Sequence, residues 1–208
     1  MSSGSPPDPR EFYTQTIPGQ FNASLDAQER LGEAGRSVLE AMRAVDATIQ
    51  VEVRGAGGGS FALNIRQGRM RADEQAAFAP FLTVVQDRAA FESLARESGD
   101  SALALLGGLS GLTGEMRLTR KRVESLAQLS GAVHFSVTGD AGFALITHFG
   151  AGPVPDEPNA SIAVDDDAYR ELRSGKLDPG AAFMNGKIKV AGDMQLAMQL
   201  ALAALSVD

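Results

Sequence analysis

The chain has no cysteine and only two histidines. Without cysteine there is no disulfide framework, no thiolate nucleophile and no cysteine-ligated zinc. That usage fits a reducing compartment, and a cytoplasmic location is the expectation. Two imidazoles leave little for proton transfer near neutral pH or for metal ligation. Positive charge is scarce as well. Lys and Arg number 19 against 26 Asp and Glu, a net charge of −7. Nucleic-acid proteins normally carry a basic stripe, so no nucleic-acid partner is expected. No apolar run approaches the roughly 18 residues of a membrane span. Met1 to Arg10 is rich in Ser, Gly and Pro and lacks the apolar stretch of a signal peptide. What remains is 208 residues, 44% hydrophobic and 22% charged. That is enough for one large or two small domains with a real core and no metal or disulfide staple.

Residues 1–9 read as a disordered leader. Glu11 to Phe21, with Phe12, Tyr13, Ile17 and Phe21, reads as a short helix broken near Pro18. Ser24 or Asp26 is the expected cap of a helix to about Val45, with Leu25, Leu31, Val38, Leu39 and Met42 as its stripe. A hairpin follows, in which Ile49, Val51 and Val53 alternate with polar residues, as do Phe61, Leu63 and Ile65. Pairing Val53 with Phe61 puts all six on one face. Gln67 to Ala79 reads as a looser stretch. Phe81–Val85 reads as a strand, and Asp87 as the cap of a helix carrying Phe91 and Leu94. Leu103 to Leu112 is an apolar segment interrupted by glycine. Glu115–Thr119 alternates like a strand, and Arg120–Leu129 has helical spacing.

The series then starts again. Val133, Phe135 and Val137 form a hairpin with Phe143 and Leu145 across Gly139-Asp140-Ala141. Strand Ser161–Val164 leads to Asp165, which caps a helix with Tyr169 and Leu172. Strand Lys187–Val190 leads to Asp193, which caps a helix to about Leu205. Pro80, Asp87, Phe91 and Leu94 match Pro158, Asp165, Tyr169 and Leu172 at one constant spacing. Phe61 is matched with Phe143, and Gly55 with Gly139. The pattern predicts an internal duplication. Residues 1–23 form a leader and short N-terminal segment, 24–130 a degraded first copy and 131–208 the second, with helix 120–130 shared.

Between Tyr169 and Leu200 the chain runs through Gly175, Asp178-Pro179, Phe183-Met184-Asn185-Gly186, Lys187-Ile188-Lys189 and Gly192-Asp193 into an apolar helix. This stretch resembles the sterol carrier protein type-2 family. The glycines, Pro179, Phe183 and the Gly-Asp pair coincide with its pattern over about Ile162 to Leu202. The first copy is a poorer match, with Arg120-Lys121 where the second has Gly192-Asp193. The local chemistry is consistent on its own terms. Gly175 suits the left-handed position after a helix, and Asp193 supplies an N-cap carboxylate.

From Met194 to Leu205 only Gln195 and Gln199 are polar, so this helix is apolar nearly all round. One side is expected to pack on Phe135, Val137, Phe143 and Leu145. The other needs a second copy, a subunit or a lipid. The resemblance implies an α+β fold of two fused modules, each an antiparallel or mixed sheet covered on one face by helices. It also implies an acyl chain or sterol held, without catalysis or cofactor, between sheet and helices. The lining expected on that basis is Phe135, Phe143, Leu145, Ile162, Phe183, Met184, Ile188, Met194, Met198 and Leu202. A transient membrane-surface contact and a homodimer stay open. So does a purely structural pseudo-dimer, or an accessory domain of a lipid-metabolising enzyme.

Other signals read more plainly as structure. His134 and His148 share the polar face of the second hairpin with no carboxylate to complete a metal site. Gly55 to Gly59 leads into a strand and lacks the Lys-Ser/Thr of a phosphate loop. Asp165, Asp166 and Asp167 lack calcium-loop spacing. Arg117, Arg120, Lys121 and Arg122 form a basic cluster at a helix start. No Ser elbow is visible.

Overall fold

A computed structural model describes residues 7–98, 118–140, 142–174 and 176–205. The described chain opens with helical turns Pro9–Glu11 and Phe12–Thr16, then α1 (Ile17–Arg30) and α2 (Arg36–Arg43). Strands β1 (Ala47–Arg54), β2 (Gly59–Arg66), β3 (Arg69–Asp73) and β4 (Pro80–Asp87) follow, then α3 (Arg88–Ser98) and α4 (Arg120–Ala127). The C-terminal half contains β5 (Gly131–Thr138), β6 (Phe143–Phe149), β7 (Ala160–Asp165), α5 (Asp166–Arg173), α6 (Pro179–Met184), β8 (Ile188–Gly192) and α7 (Met194–Leu205). This is the expected α+β class. No helix among the described residues is long and apolar enough to cross a membrane.

The strands form one mixed sheet in the order β3-β2-β1-β4-β6-β5-β7-β8. Parallel pairs occur at β1–β4 and β5–β7, and every other pairing is antiparallel. The two halves meet at β4–β6, where Leu82 faces Phe149, Val84 faces Thr147 and Gln86 faces Leu145. Side chains alternate across a strand, so register defines continuous rows. One row runs Phe61–Val51–Val84–Thr147–Val133–Ala160. The next runs Val53–Gln86–Leu145–Phe135–Ile162–Val190. Both lie on the face that carries the core.

The first hairpin departs from the expected register by two residues. Val53 faces Gly59 and Val51 faces Phe61. The cause is the turn, where the Gly58 amide donates to the Gly55 carbonyl at 3.1 Å. A Cβ on Gly58 would lie 2.0 Å from the Val53 carbonyl oxygen, so only glycine allows this closure. Gly59 and Ser60, expected in the loop, therefore join β2. A two-residue slip preserves sidedness, so the six apolar residues still share a face. The second hairpin has the expected register, Phe135 opposite Leu145, and its Gly142 amide likewise donates to the Gly139 carbonyl at 3.1 Å. Strand sums thus place Leu145, not Phe143, at the position Phe61 takes in the first hairpin.

Other expectations need correction. Pro18 does not break its helix. The Ile17 amide reaches back five residues to the Phe12 carbonyl, a wide turn that accommodates the missing proline donor. Ser24 and Asp26 lie inside α1, so neither caps a helix; the chain turns instead between Leu31 and Gly35, with Gly32 at φ 59°. Leu31 is exposed. Within the looser stretch, Arg69–Asp73 is an edge strand on β2. Leu103 to Leu112 and residues 115–117 lie outside the described residues. Thr119 belongs to no strand; it caps α4 through its hydroxyl, which accepts from the Arg122 amide. Asp87 and Asp165 cap their helices as expected, each at 2.7 Å.

The N-terminal half fills its own sheet face. Tyr13 stacks on Phe61 with centroids 5.3 Å apart, and Phe12 and Phe91 pack edge-on beside it. Ile17, Phe21 and Leu25 continue the buried stripe. Gln86 is the polar residue in its row, and its side-chain amide donates to the Tyr13 hydroxyl. Burial pushes the Tyr13 phenol well above its ordinary value of 10.0. On the opposite sheet face Asn64 ties down the 75–77 segment. Its Oδ1 accepts from Thr48 at 2.7 Å and the Ala77 amide at 2.8 Å, and its amide donates to the Gln75 carbonyl at 2.9 Å.

Two outcomes follow for Tyr13. Tyr13→Phe leaves the buried Gln86 amide without an acceptor and should lower unfolding stability in urea by about 1–3 kcal/mol. The Tyr13→Phe/Gln86→Leu double variant should recover much of that loss. A phenol whose folded pKa is raised contributes full stability below pH about 10 and loses it as pH climbs further. Wild-type urea midpoints should therefore fall above pH 10 more steeply than those of Tyr13→Phe.

Candidate functional site

Three aspartates organise the C-terminal helices. Asp165 opens α5. Asp178 opens α6 by accepting from the Ala181 amide at 2.9 Å. Asp193 opens α7, accepting from Gln195 and Leu196 amides at 2.9 and 3.0 Å. The Gly192-Asp193 step is held against the sheet by Asn159. Its carbonyl accepts from the Asp193 amide at 2.9 Å, and its side-chain oxygen accepts from the Ala132 amide at 2.8 Å. Gly192 has φ 79°, and a Cβ there would lie 2.4 Å from that Asn159 carbonyl. The glycine is thus required by both conformation and close approach. Lys187 bonds Glu171 at 3.0 Å, fastening the start of β8 to α5, and this contact raises the lysine pKa. Gly175 follows α5 but lies outside the described residues.

The ten expected lining residues divide into two groups. Phe135, Phe143 and Leu145 are buried on the core face of the sheet. Ile162 and Ile188 share that face but are half-buried. The other five are exposed: Phe183 at 48%, Met184 at 86%, Met194 at 49%, Met198 at 65% and Leu202 at 66%. Helix α7 does not cover Phe135 and Phe143 as expected. Tyr169 of α5 does, with centroids 6.2 Å from Phe135 and 5.5 Å from Phe143. Helix α7 instead contacts α4, β7 and β8. It turns Leu196, Ala197, Leu200 and Ala203 inward. At 100° per residue, Met198 and Leu202 project from the side opposite that stripe.

The geometry therefore exposes an apolar floor at the end of the sheet. Ile162 pairs with Val190, and Val164 with Ile188. Ile162, Ile188 and Val190 are half-buried, whereas residues further into the sheet on the same rows are fully covered. Helices α6 and α7 both contact β8, so Phe183 and Met194 belong to the elements bordering this floor. Sequence reasoning missed Val190 and the covering role of Tyr169. The alternation of Ile188 with Val190 was the available signal for the first; nothing local marked the second.

The chain's two histidines lie on strand positions of the opposite face, His134 across from Ile146 and His148 across from Ala132. His148 is buried opposite Thr83 of β4, where the two halves meet, and its Nδ1 has no hydrogen-bond partner. Among the described residues no group of three His, Cys, Asp or Glu side chains is placed to hold a metal ion.

The C-terminal half is similar in sequence to known proteins. Residues 115–204 match the model of the SCP-2 sterol transfer family. Peroxisomal multifunctional enzyme A of Dictyostelium discoideum is 41% identical over 51 residues, 24% of this chain and 11% of that protein. Hydroxysteroid dehydrogenase-like protein 2 of Danio rerio is 34% identical over 71 residues, 34% of this chain and 16% of that protein. The chain thus matches only a small part of the length of these curated relatives. Among solved structures, Sterol Carrier Protein 2 Like 2 from Aedes aegypti aligns with TM-score 0.33 and 18% identity, covering 57% of this chain and 98% of its own. Sterol Carrier Protein 2 from Yarrowia lipolytica, in its apo form, aligns with TM-score 0.32 and 19% identity, covering 50% and 93%.

Tyr169→Ala should cost about 3–5 kcal/mol of unfolding stability, because it removes the ring that seals Phe135 and Phe143. The same variant should increase the fluorescence of an apolar dye under native conditions.

Proposed function

We propose that the C-terminal half binds a lipid, with its acyl chain or sterol-like body lying on the Ile162–Ile188–Val190 floor between α6 and α7, and that it carries the lipid without catalysing a reaction. The observation that carries this reading is the incomplete cover of that floor. It continues the rows of a buried core, yet its last members are half-exposed. The match of residues 115–204 to the SCP-2 sterol transfer family model supports the same class of ligand. Binding would be driven by apolar burial, worth about 0.8 kcal/mol per methylene. A long acyl chain could then reach micromolar affinity after ordering costs.

We further propose that the halves are fused copies of one module and that only the second has a usable site. Support comes from the two hairpins closed by the same glycine turn. In each half a later strand runs parallel to the hairpin's first strand, after β3 in the first half and directly after the hairpin in the second. Each of those strands runs into an Asp-capped helix. In the first half Phe12, Tyr13, Ile17 and Phe21 occupy the space a ligand would need. A second reading is an accessory module serving an enzyme. It is favoured by relatives in which the matched segment is a small part of a protein named as an enzyme.

Native mass spectrometry of gently purified protein should show one lipid per chain, and a fluorescent fatty acid should titrate to the same stoichiometry. Val190→Arg on the edge strand should weaken that titration by about tenfold or more, since a charge on the floor would have to be desolvated, while circular dichroism stays native. Failure of wild type to retain or bind any lipid would end the carrier reading.

A further inference from the structure

One ligand on the floor cannot account for the rest of the exposed apolar surface. Among the described residues six large hydrophobic side chains are exposed, and five of them fall between Phe183 and Leu202. Met198 and Leu202 project from the side of α7 opposite its buried stripe, so a chain lying against β8 does not reach them. Met184 is the most exposed of all.

From this placement we propose that the outer face of α7, with Met184 at the tip of α6, is a membrane-docking surface that seats the protein on the headgroup boundary of a lipid bilayer. The inference rests on the lipid-carrier reading in one respect: an insoluble cargo must be taken from and returned to a bilayer, and these helices flank its floor.

Three features favour a bilayer as the occupant. Helix α7, Met194–Leu205, contains no ionisable residue, so laying it at the interface desolvates no charge. Twelve residues span about 18 Å at 1.5 Å each, too short to cross a bilayer but suited to lying in its surface plane. Charge distribution then sets the orientation. Residues 174–205 hold three lysines (Lys176, Lys187, Lys189) against two aspartates, a net +1, which leaves −8 for the remainder of the chain. Both aspartates are spent on helix caps and Lys187 is paired with Glu171, so Lys176 and Lys189 carry the positive charge of this end. An anionic leaflet therefore repels the bulk of the molecule and tolerates this end of it.

The chain has no tryptophan, which provides a clean probe. In Met198→Trp the single indole should shift to the blue on adding vesicles of phosphatidylcholine with one-fifth phosphatidylserine, and bromine-labelled lipids should quench it. Wild type should float with such vesicles, and the Met198→Glu/Leu202→Glu variant should lose about tenfold or more of that partition, as expected for charge placed in an interfacial apolar face. Both substitutions lie on exposed positions, so the thermal midpoint should be unchanged. The variant should still titrate a water-soluble, short fluorescent fatty acid, whereas Val190→Arg should lose that titration and still float. This pairing separates failure of docking from failure of cargo binding. The proposal is overturned if wild type does not float, if the indole is unshifted, or if the glutamates dissolve a dimer seen by light scattering while vesicle partition is unaltered. That last result would assign the face to a second copy of the chain.

Discussion

The pairing of β4 with β6 is the constraint on which the rest of the molecule depends. Leu82 to Gln86 runs antiparallel to Leu145 to Phe149, and this single ladder turns two short sheets into one. It consumes two edges that would otherwise present unpaired backbone groups to solvent. It also places Gln86 and Leu145 in one row, so the core of one half passes without interruption into the core of the other. Helices then follow the sheet: α3 contacts β6, and α4 contacts β4, each reaching across the junction.

Along that continuous face, cover is uneven for a physical reason. The N-terminal half has about two dozen residues of helix ahead of its second helix, and it spends them placing Phe12, Tyr13, Ile17 and Phe21 on its own strands. The C-terminal half is preceded by α4, only eight residues long and rich in charge. Tyr169 supplies the seal over Phe135 and Phe143, and α7 covers the beginning of β7. Among the described residues nothing comparable covers Ile162, Ile188 and Val190. Among the described residues the floor is thus left open by the elements above it, and the composition of α7 makes its surroundings apolar too.

Individual residues show where sequence reasoning succeeds. Alternation found β1, β2, β5 and β6, and Asp87, Asp165, Asp178 and Asp193 marked four helix or turn starts, because caps and pleats are local rules. The Gly58 turn defeated the register of the first hairpin: loop length depends on which glycines adopt left-handed backbone, and four neighbouring glycines offer several choices. Pro18 was misread because a wide helical turn is not coded by any single residue. The site was half legible. Phe135, Phe143, Leu145, Ile162 and Ile188 share a face by parity alone, but parity says nothing about which helix lies above them. Assigning α7 to that task was the natural guess from its hydrophobicity, and Tyr169 occupies the place instead.

The amino-acid order by itself determined the hairpin strands, the capped helices, the apolar character of Met194 to Leu205 and the family resemblance of about Ile162 to Leu202, since each follows from periodicity, capping chemistry or a contiguous motif. Only the tertiary structure decided that the two halves share one sheet, that Met198 and Leu202 face outward and that Val190 completes an open floor. Those outcomes depend on contacts between segments distant in the chain, where many packings satisfy the same local pattern and the whole set of competing surfaces selects one.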